Sequence, residues 1–203
     1  MPELTIRRAE ARDAAEAARL IYSSGPAAFS YLLEQNGRDP VEFLRYSFAR
    51  GNALFGFRNH TVAVKDNRVV GTIAYYTKQD LFRLNLYTAI DMLQFFGPVT
   101  GVKVALRGLD MERYLRPPIK DRLYLAHIGV DPELRGQGIG SILIDYALDH
   151  HPQGRTLASS LDVAITNPRA QVLYERLGFH VIEERPAPAP SVPGHRYMER
   201  PAS

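Results

Sequence analysis

The sequence predicts an α/β fold, a mixed β-sheet of about seven strands flanked by helices, in a chain of 203 residues. Three observations predict it. Seven short stretches carry the alternating or β-branched apolar pattern of strands, and between them lie segments whose apolar residues recur every three or four positions, as on a helix face. Their order is strand, helices, hairpin, helical stretch, strand, helix, strand, helix, two strands. Some neighbouring strands are thus joined by tight turns and others by helices, which mixes antiparallel with parallel pairing. The length suits a single domain with its own core.

Taken in order, LTIRRA at residues 4–9 alternates as a strand, and EARDAAEAARLIYSS from Glu10 sets Ala14, Ala17, Ala18 and Ile21 on one helix face. PVEFLRYSFARG starts a helix at Pro40, which a first turn tolerates, and stops it near Gly51. HTVAVKDNRVVGTIAYY is two β-rich runs separated by Lys65, Asp66, Asn67 and Arg68, a hairpin. LFRLNLYTAIDMLQFF reads as a helix with Phe82, Leu86, Ala89, Leu93 and Phe96 on one face, followed by a second helix from Val102 to Leu115. LYLAHIGV is then a strand, GIGSILIDYALDHH a helix, RTLASSLDVAI a strand, and PRAQVLYERLG a helix ended by a left-handed cap at Gly178. FHVIEER and HRYMER close the sheet, joined by a proline-rich loop at 186–194. No internal repeat is visible.

Composition removes several function classes. The formal charge is only +3 and the arginines are scattered, so no basic stripe for nucleic acid is present. With no cysteine, disulfides, thiolate zinc sites and a cysteine nucleophile are all excluded, and no metal is called for. Charges run through residues 1–20 and no stretch of about 18 apolar residues occurs, so neither a signal peptide nor a membrane span is expected, and the expected location is the cytoplasm.

The stretch RGQGIG, residues 135–140, sits between an apolar strand and a helix. A glycine turn there leaves the first helix N–H groups aimed outward with the positive end of the helix dipole behind them, a setting for phosphate. The P-loop pattern fails because no lysine precedes Ser141. The dinucleotide pattern also fails. From Gly136 it finds Gly138 but then Ser141, and from Gly138 it finds Gly140 but then Leu143, although Asp162 lies about 20 residues on, where a ribose-binding acid would stand.

Arg135, Gly138 and Gly140 instead form R-x-x-G-x-G directly after LAHIGVDPEL, which resembles the acetyl-CoA pyrophosphate loop of the GNAT superfamily of N-acetyltransferases. TNPRAQVLYERLGF, residues 166–179, is similar to that family's later motif, and the order of elements is also the family's. The resemblance is strong over 121–185, fair over 1–76 and absent over 78–120, which reads as a helical insertion before the fourth strand. It implies acetyl-CoA as cosubstrate. The amides of Arg135, Gly136, Gln137, Gly138, Ile139, Gly140 and Ser141 would cradle the pyrophosphate, and the main chain of Ile128, Gly129 and Val130 would pair with the pantetheine arm. Asn167, Ala170 and Tyr174 would complete the cofactor side.

Acyl transfer to an amine needs a neutral amine, a donor for the developing oxyanion and a proton for the thiolate. By the resemblance Tyr174 supplies that proton; it also suits plain packing between helix and sheet. His127 titrates near working pH and is the candidate base, though a strand histidine is also a common structural residue. Many relatives carry an acid on this strand, and residues 123–130 contain none. Tyr124, His195 and Tyr197 are lower-ranked participants, and Asp162 either orients an amine or faces solvent. The acceptor would meet residues 21–36, the last two strands and the 78–120 region. The expectation is direct acetyl transfer to a primary amine of a small molecule in a ternary complex. The alternatives are a protein or peptide amine, and a non-catalytic acyl-CoA-sensing module. A homodimer is left open, and no nucleic-acid or membrane partner is expected.

Overall fold

The computed structural model describes residues 4–111, 115, 118–152, 155–187 and 189–202. Strand β1 (Thr5–Arg8) leads through a 3-10 turn into α1 (Ala14–Ser24), α2 (Pro26–Leu33) and α3 (Pro40–Arg50). The hairpin β2 (His60–Lys65) and β3 (Arg68–Tyr76) is followed by α4 (Lys78–Phe96) and α5 (Pro98–Met111). The chain continues with β4 (Arg122–Val130), α6 (Ile139–His150), β5 (Ala158–Ala164), α7 (Pro168–Arg176), β6 (His180–Arg185) and β7 (His195–Arg200).

The seven strands form one sheet in the order β1-β2-β3-β4-β5-β7-β6, with β4 and β5 parallel and the other neighbours antiparallel. Strand alternation sends side chains to two cores. Val62 and Val69 face Ala17, Ala18, Ile21, Phe43 and Phe48 of α1 and α3, while Ala63, Ile73 and Leu125 face Leu143, Ile144 and Ala147 of α6 with Tyr174 and Phe179. Burying a side chain such as Phe43 or Leu143 contributes about 2 kcal/mol each.

Local chemistry explains most of the boundaries. Asp39 caps α3, its carboxylate accepting the Val41 N–H at 2.8 Å, and Gly51 ends the helix at φ 85°. The hairpin turn is tighter than the four residues expected. Asp66 and Asn67 alone bridge it, at φ 52° and 59°, which is the geometry a two-residue turn of primed type requires. The segment from Pro26 to Leu33, to which the sequence pattern assigns no element, is a helix with proline in its first turn after Gly25.

The largest correction concerns α4. Its expected apolar face is largely exposed, with Phe82 82 % and Leu86 51 % accessible, and the buried face runs through Leu84, Thr88, Asp91 and Met92. Asp91 accepts from Ser47 Oγ and Arg50 Nε, both at 2.7 Å, and Thr88 Oγ1 accepts the Leu54 N–H at 2.9 Å while donating to the Leu84 carbonyl. Hydrogen bonds satisfy the buried polar groups, so a polar stripe can dock. Helix α5 begins at Pro98, four residues before the expected start, and residues 112–114 of the expected helix lie outside the described residues. It closes on α4 where a Cβ at Gly101 would stand 2.6 Å from Leu93 Cα.

Candidate active site

The site lies where β4 and β5 part. Their pairing runs from Arg122↔Ala158 to Tyr124↔Ser160 and stops, although β4 continues to Val130 and β5 to Ala164. On its other edge β4 bulges: Thr72 pairs with Gly129 and Ala74 with Ala126, so His127 and Ile128 stand against Ile73 alone. His127 takes φ 53°, a left-handed conformation uncommon for a side-chain-bearing residue and found often at functional sites.

The bulge turns His127 into a cavity of about 360 Å³. Its walls are mostly apolar, from Phe29 and Leu32 of α2, Leu54 and Phe55, Leu81 and Met92 of α4, and Leu109 of α5. Tyr124, Ile128, Asp162, Tyr174 and His195 line it as well. The sheet thus brings together most of the expected participants. Rings of Phe55 and Phe29 flank His127 at centroid distances of 5.2 and 6.0 Å. Burial pushes the His127 imidazole well below its ordinary range, and the nearby His60 adds to the effect, so the ring is neutral.

Tyr174 is buried on α7, its ring edge-on to Phe179 at 6.1 Å, and its hydroxyl makes no hydrogen bond among the described residues. Burial pushes the phenol up to about 12, so it keeps its proton at neutral pH. Tyr124 is committed elsewhere, donating to Asp162 Oδ2 at 2.8 Å. Asp162 does not face solvent: within β5 its carboxylate is 4 % exposed at the cavity, 3.7 Å from Arg185. Tyr197 is fully buried and donates to Glu199 at 2.7 Å, so it is no participant, while His195 lines the cavity with a pKa lowered by burial.

The glycine loop opens at the N-terminus of α6. Gly136 and Gly138 take φ 83° and 81°, and a Cβ on either would meet nothing within 4 Å. Arg135, Gln137 and both glycines are exposed, and Gly138 caps the helix without any side-chain bond, leaving the amides of Ile139, Gly140 and Ser141 beyond the reach of the helix's own carbonyls. Such a nest of amides with clear space in front of it fits an anion like the pyrophosphate of acetyl-CoA. Gly140 differs, since its Cβ would meet Leu173 at 3.3 Å, so its smallness serves packing. The Arg135 Nε donates to the Val130 carbonyl at 3.3 Å. Asn167 caps α7, its Oδ1 accepting the Ala170 N–H at 3.2 Å.

Gly129 stands at a close approach, as a glycine inside a strand often does. Its missing side chain makes room for α1, whose Leu20 carbonyl oxygen would lie 2.2 Å from a Cβ there, so packing already accounts for the glycine. His60, which sequence reasoning did not single out, bonds His127 through its ring, and only the strand register could have revealed the pair. No group of three or more His, Asp or Glu that could hold a metal occurs among the described residues, and no described helix is long and apolar enough to cross a membrane.

A mixed sheet with two parallel central strands splayed over a glycine-capped helix defines the fold of acyl-CoA-dependent acyltransferases. A sequence model of the acetyltransferase (GNAT) family matches residues 28–179, and the chain belongs to that family. It is 31 % identical over 77 residues to a ribosomal protein bS18-alanine N-acetyltransferase of Salmonella typhimurium, covering 38 % of this chain and 52 % of that protein. A mycothiol acetyltransferase of Propionibacterium freudenreichii is 36 % identical over 66 residues, 32 % of this chain and 21 % of that protein. The chain thus aligns with about half the length of the first relative and less of the second. An N-acetyltransferase structure from Staphylococcus aureus Mu50 superposes with a TM-score of 0.73 at 19 % identity, covering 96 % of this chain and 99 % of that one, a likeness of fold.

Proposed function

We propose that the protein transfers an acetyl group from acetyl-CoA to a primary amine carried on a small, largely apolar molecule. The observation that carries the reading is the cavity of about 360 Å³ in which neutral His127 and protonated Tyr174 line a mostly apolar chamber at the parting of β4 and β5. Acetyl-CoA supplies an acetyl thioester when bound. The amides from Gly136 to Ser141 hold the pyrophosphate, the open edge of β4 at Ile128 takes the pantetheine arm, and Asn167 and Ala170 stand beside it on α7.

The residues then divide the proton work. The apolar walls lower the acceptor's ammonium pKa by the same burial that lowers that of His127. The bare nitrogen of His127 takes the proton, and the electron pair of the broken N–H bond stays on the amine nitrogen, which becomes the nucleophile. Tyr174 gives its phenolic proton to the departing sulfur, and the second N–H proton, shed by the nitrogen as the amide forms, returns to the Tyr174 oxygen. No cysteine exists to carry an acyl group, which supports direct transfer within a ternary complex. Helices α4 and α5, the region read as an insertion, shape the acceptor end of the chamber through Leu81, Met92 and Leu109.

A second reading, transfer to the N-terminal amine of a peptide, is supported by the relatives named bS18-alanine N-acetyltransferases. Thermal melting with acetyl-CoA, CoA or NADH tests the cofactor. A ligand at about 100 times its dissociation constant adds about 2.7 kcal/mol, so acetyl-CoA and CoA raise Tm while NADH leaves it unchanged; stabilisation by NADH alone overturns the proposal. A panel of apolar amines and an alanine-led peptide, scored by released thiol, then separates the two acceptors.

A further inference from the structure

His60 opens β2 and is fully buried, its ring 5.4 Å from that of Phe48. Its Nδ1 lies 2.9 Å from the Gly56 carbonyl oxygen and its Nε2 lies 3.1 Å from Nδ1 of His127. The two imidazoles are 9° from parallel with centroids 5.3 Å apart, a separation that fits an edge-to-edge hydrogen bond and is too long for face stacking.

Hydrogen positions follow from this chain of contacts. A carbonyl oxygen only accepts, so Nδ1 of His60 carries a hydrogen. Burial holds the His60 pKa down at about 4, with the Gly56 bond opposing it, so the ring is neutral and its Nε2 is a bare acceptor. The atom facing that acceptor, Nδ1 of His127, is therefore a donor. His127 is itself neutral, so its remaining nitrogen, Nε2, carries a lone pair. That nitrogen points away from His60, in a ring that lines the cavity, and makes no hydrogen bond among the described residues. The opposite polarity would need hydrogens on both nitrogens of His60, an imidazolium in an apolar, fully buried site.

The start of the chain of contacts is rigid. A Cβ on Gly56 would stand 2.3 Å from the carbonyl carbon of Gly51, and the Gly56 N–H donates to Ala53 at 2.9 Å, so the turn presents its carbonyl from a fixed place. Phe55 and Phe29 hold the other end by flanking the His127 ring.

We propose that His60 is a positioning residue for acetyl transfer: relaying the Gly56 carbonyl, it fixes His127 in the Nδ1–H tautomer and leaves Nε2 bare toward the acceptor. The inference rests on the reading of His127 as the base, but the tautomer can be observed without any activity. His60 itself gains and loses no proton in the step. The bond that forms is between His127 Nε2 and the proton of the acceptor's ammonium.

The test is long-range 15N–1H NMR of the imidazoles at pH 7, which distinguishes a protonated ring nitrogen from a bare one, with His127→Gln used to assign the signals. Both His60 and His127 are expected as neutral Nδ1–H forms. In His60→Leu, which lacks an acceptor, His127 is expected to become a mixture of tautomers and kcat to fall roughly tenfold or more with KM for acetyl-CoA unchanged. In His60→Gln, whose amide oxygen still accepts, His127 keeps the Nδ1–H form and most of the rate. A wild-type His127 protonated at Nε2, a charged His60, or an unchanged His127 tautomer in His60→Leu would each overturn the proposal. Should His60→Leu not fold, the wild-type and His60→Gln spectra decide. If the protein acetylates no amine at all, the spectra still report the relay, so the two ideas fail separately.

Discussion

Gly129 of β4 lies directly beneath Leu20 of α1, so that a Cβ on the glycine would stand 2.2 Å from the Leu20 carbonyl oxygen. The contact seats α1 on β4 directly after the bulge that aims His127, which ties the helix position to the site. Backbone cannot yield as a side-chain tip does, so Gly129→Ala is expected to cost about 3 kcal/mol, at the upper end of overpacking effects. Urea unfolding measures it. A loss below about 0.5 kcal/mol, the range of an ordinary surface change, would mean that α1 simply slides and that the contact positions nothing.

Gly138 predicts the opposite pairing of effects. Its φ is 81° and a Cβ there would have no atom within 4 Å, so Gly138→Asp meets no steric clash and costs only about 1 kcal/mol for the left-handed backbone. The carboxylate, however, stands in front of the α6 amides and repels phosphate. The expected result is a modest drop in Tm for the free protein and loss of the Tm rise with CoA. A retained rise would remove the loop from the cofactor site.

Tyr174→Phe keeps the ring that packs on Phe179 and removes only a hydroxyl that bonds nothing else among the described residues. Stability should change by less than about 1 kcal/mol, the net worth of an ordinary hydrogen bond, and CoA affinity should hold. The rate should fall by roughly a hundredfold, the low end of what a placed acid contributes. Steady-state kinetics at saturating acetyl-CoA decide, and an unchanged kcat would return Tyr174 to a packing role and favour a sensing module.

Much of the fold was legible because short-range signals carried it: the turn at Asp66 and Asn67, the caps of α3 and α7, and the two-periodic strands. The glycine turn at the start of α6 was legible for the same reason, since strand, glycines and helix are contiguous. The buried face of α4 was not, because its apolar stripe of Phe82 and Leu86 pointed outward while Asp91 and Thr88 docked through partners 41 and 34 residues away. Periodicity sees hydrophobicity and is blind to a polar side chain whose hydrogen bonds are met from afar. The same limit hid His60, which is 67 residues from His127 and reaches it only through the register that sets β2 beside β3 and β3 beside β4.

The paired histidines also predict how stability depends on pH. Burial lowers the His60 pKa from 6.5 to about 4 and lowers His127 as well, so between these values the unfolded chain binds protons that the folded one refuses. The contribution is therefore complete above about pH 6.5 and is lost as the pH falls toward 4. At about 1.4 kcal/mol per unit, His60 alone accounts for a decline of about 3 kcal/mol across that window, and His127 acts in the same direction. Asp13 does not confuse the measurement. Burial pushes its carboxyl up, but the Arg7 guanidinium and the Glu10 amide outweigh burial and leave it lowered, so its contribution is lost only below the ordinary carboxylate range. Urea titrations from about pH 7.5 to about pH 4.5 should show wild-type stability falling steeply while His60→Gln, which cannot titrate at that position, falls less. Parallel slopes for the two proteins would mean that His60 is already charged or already hydrated, and the neutral relay to His127 would have no basis.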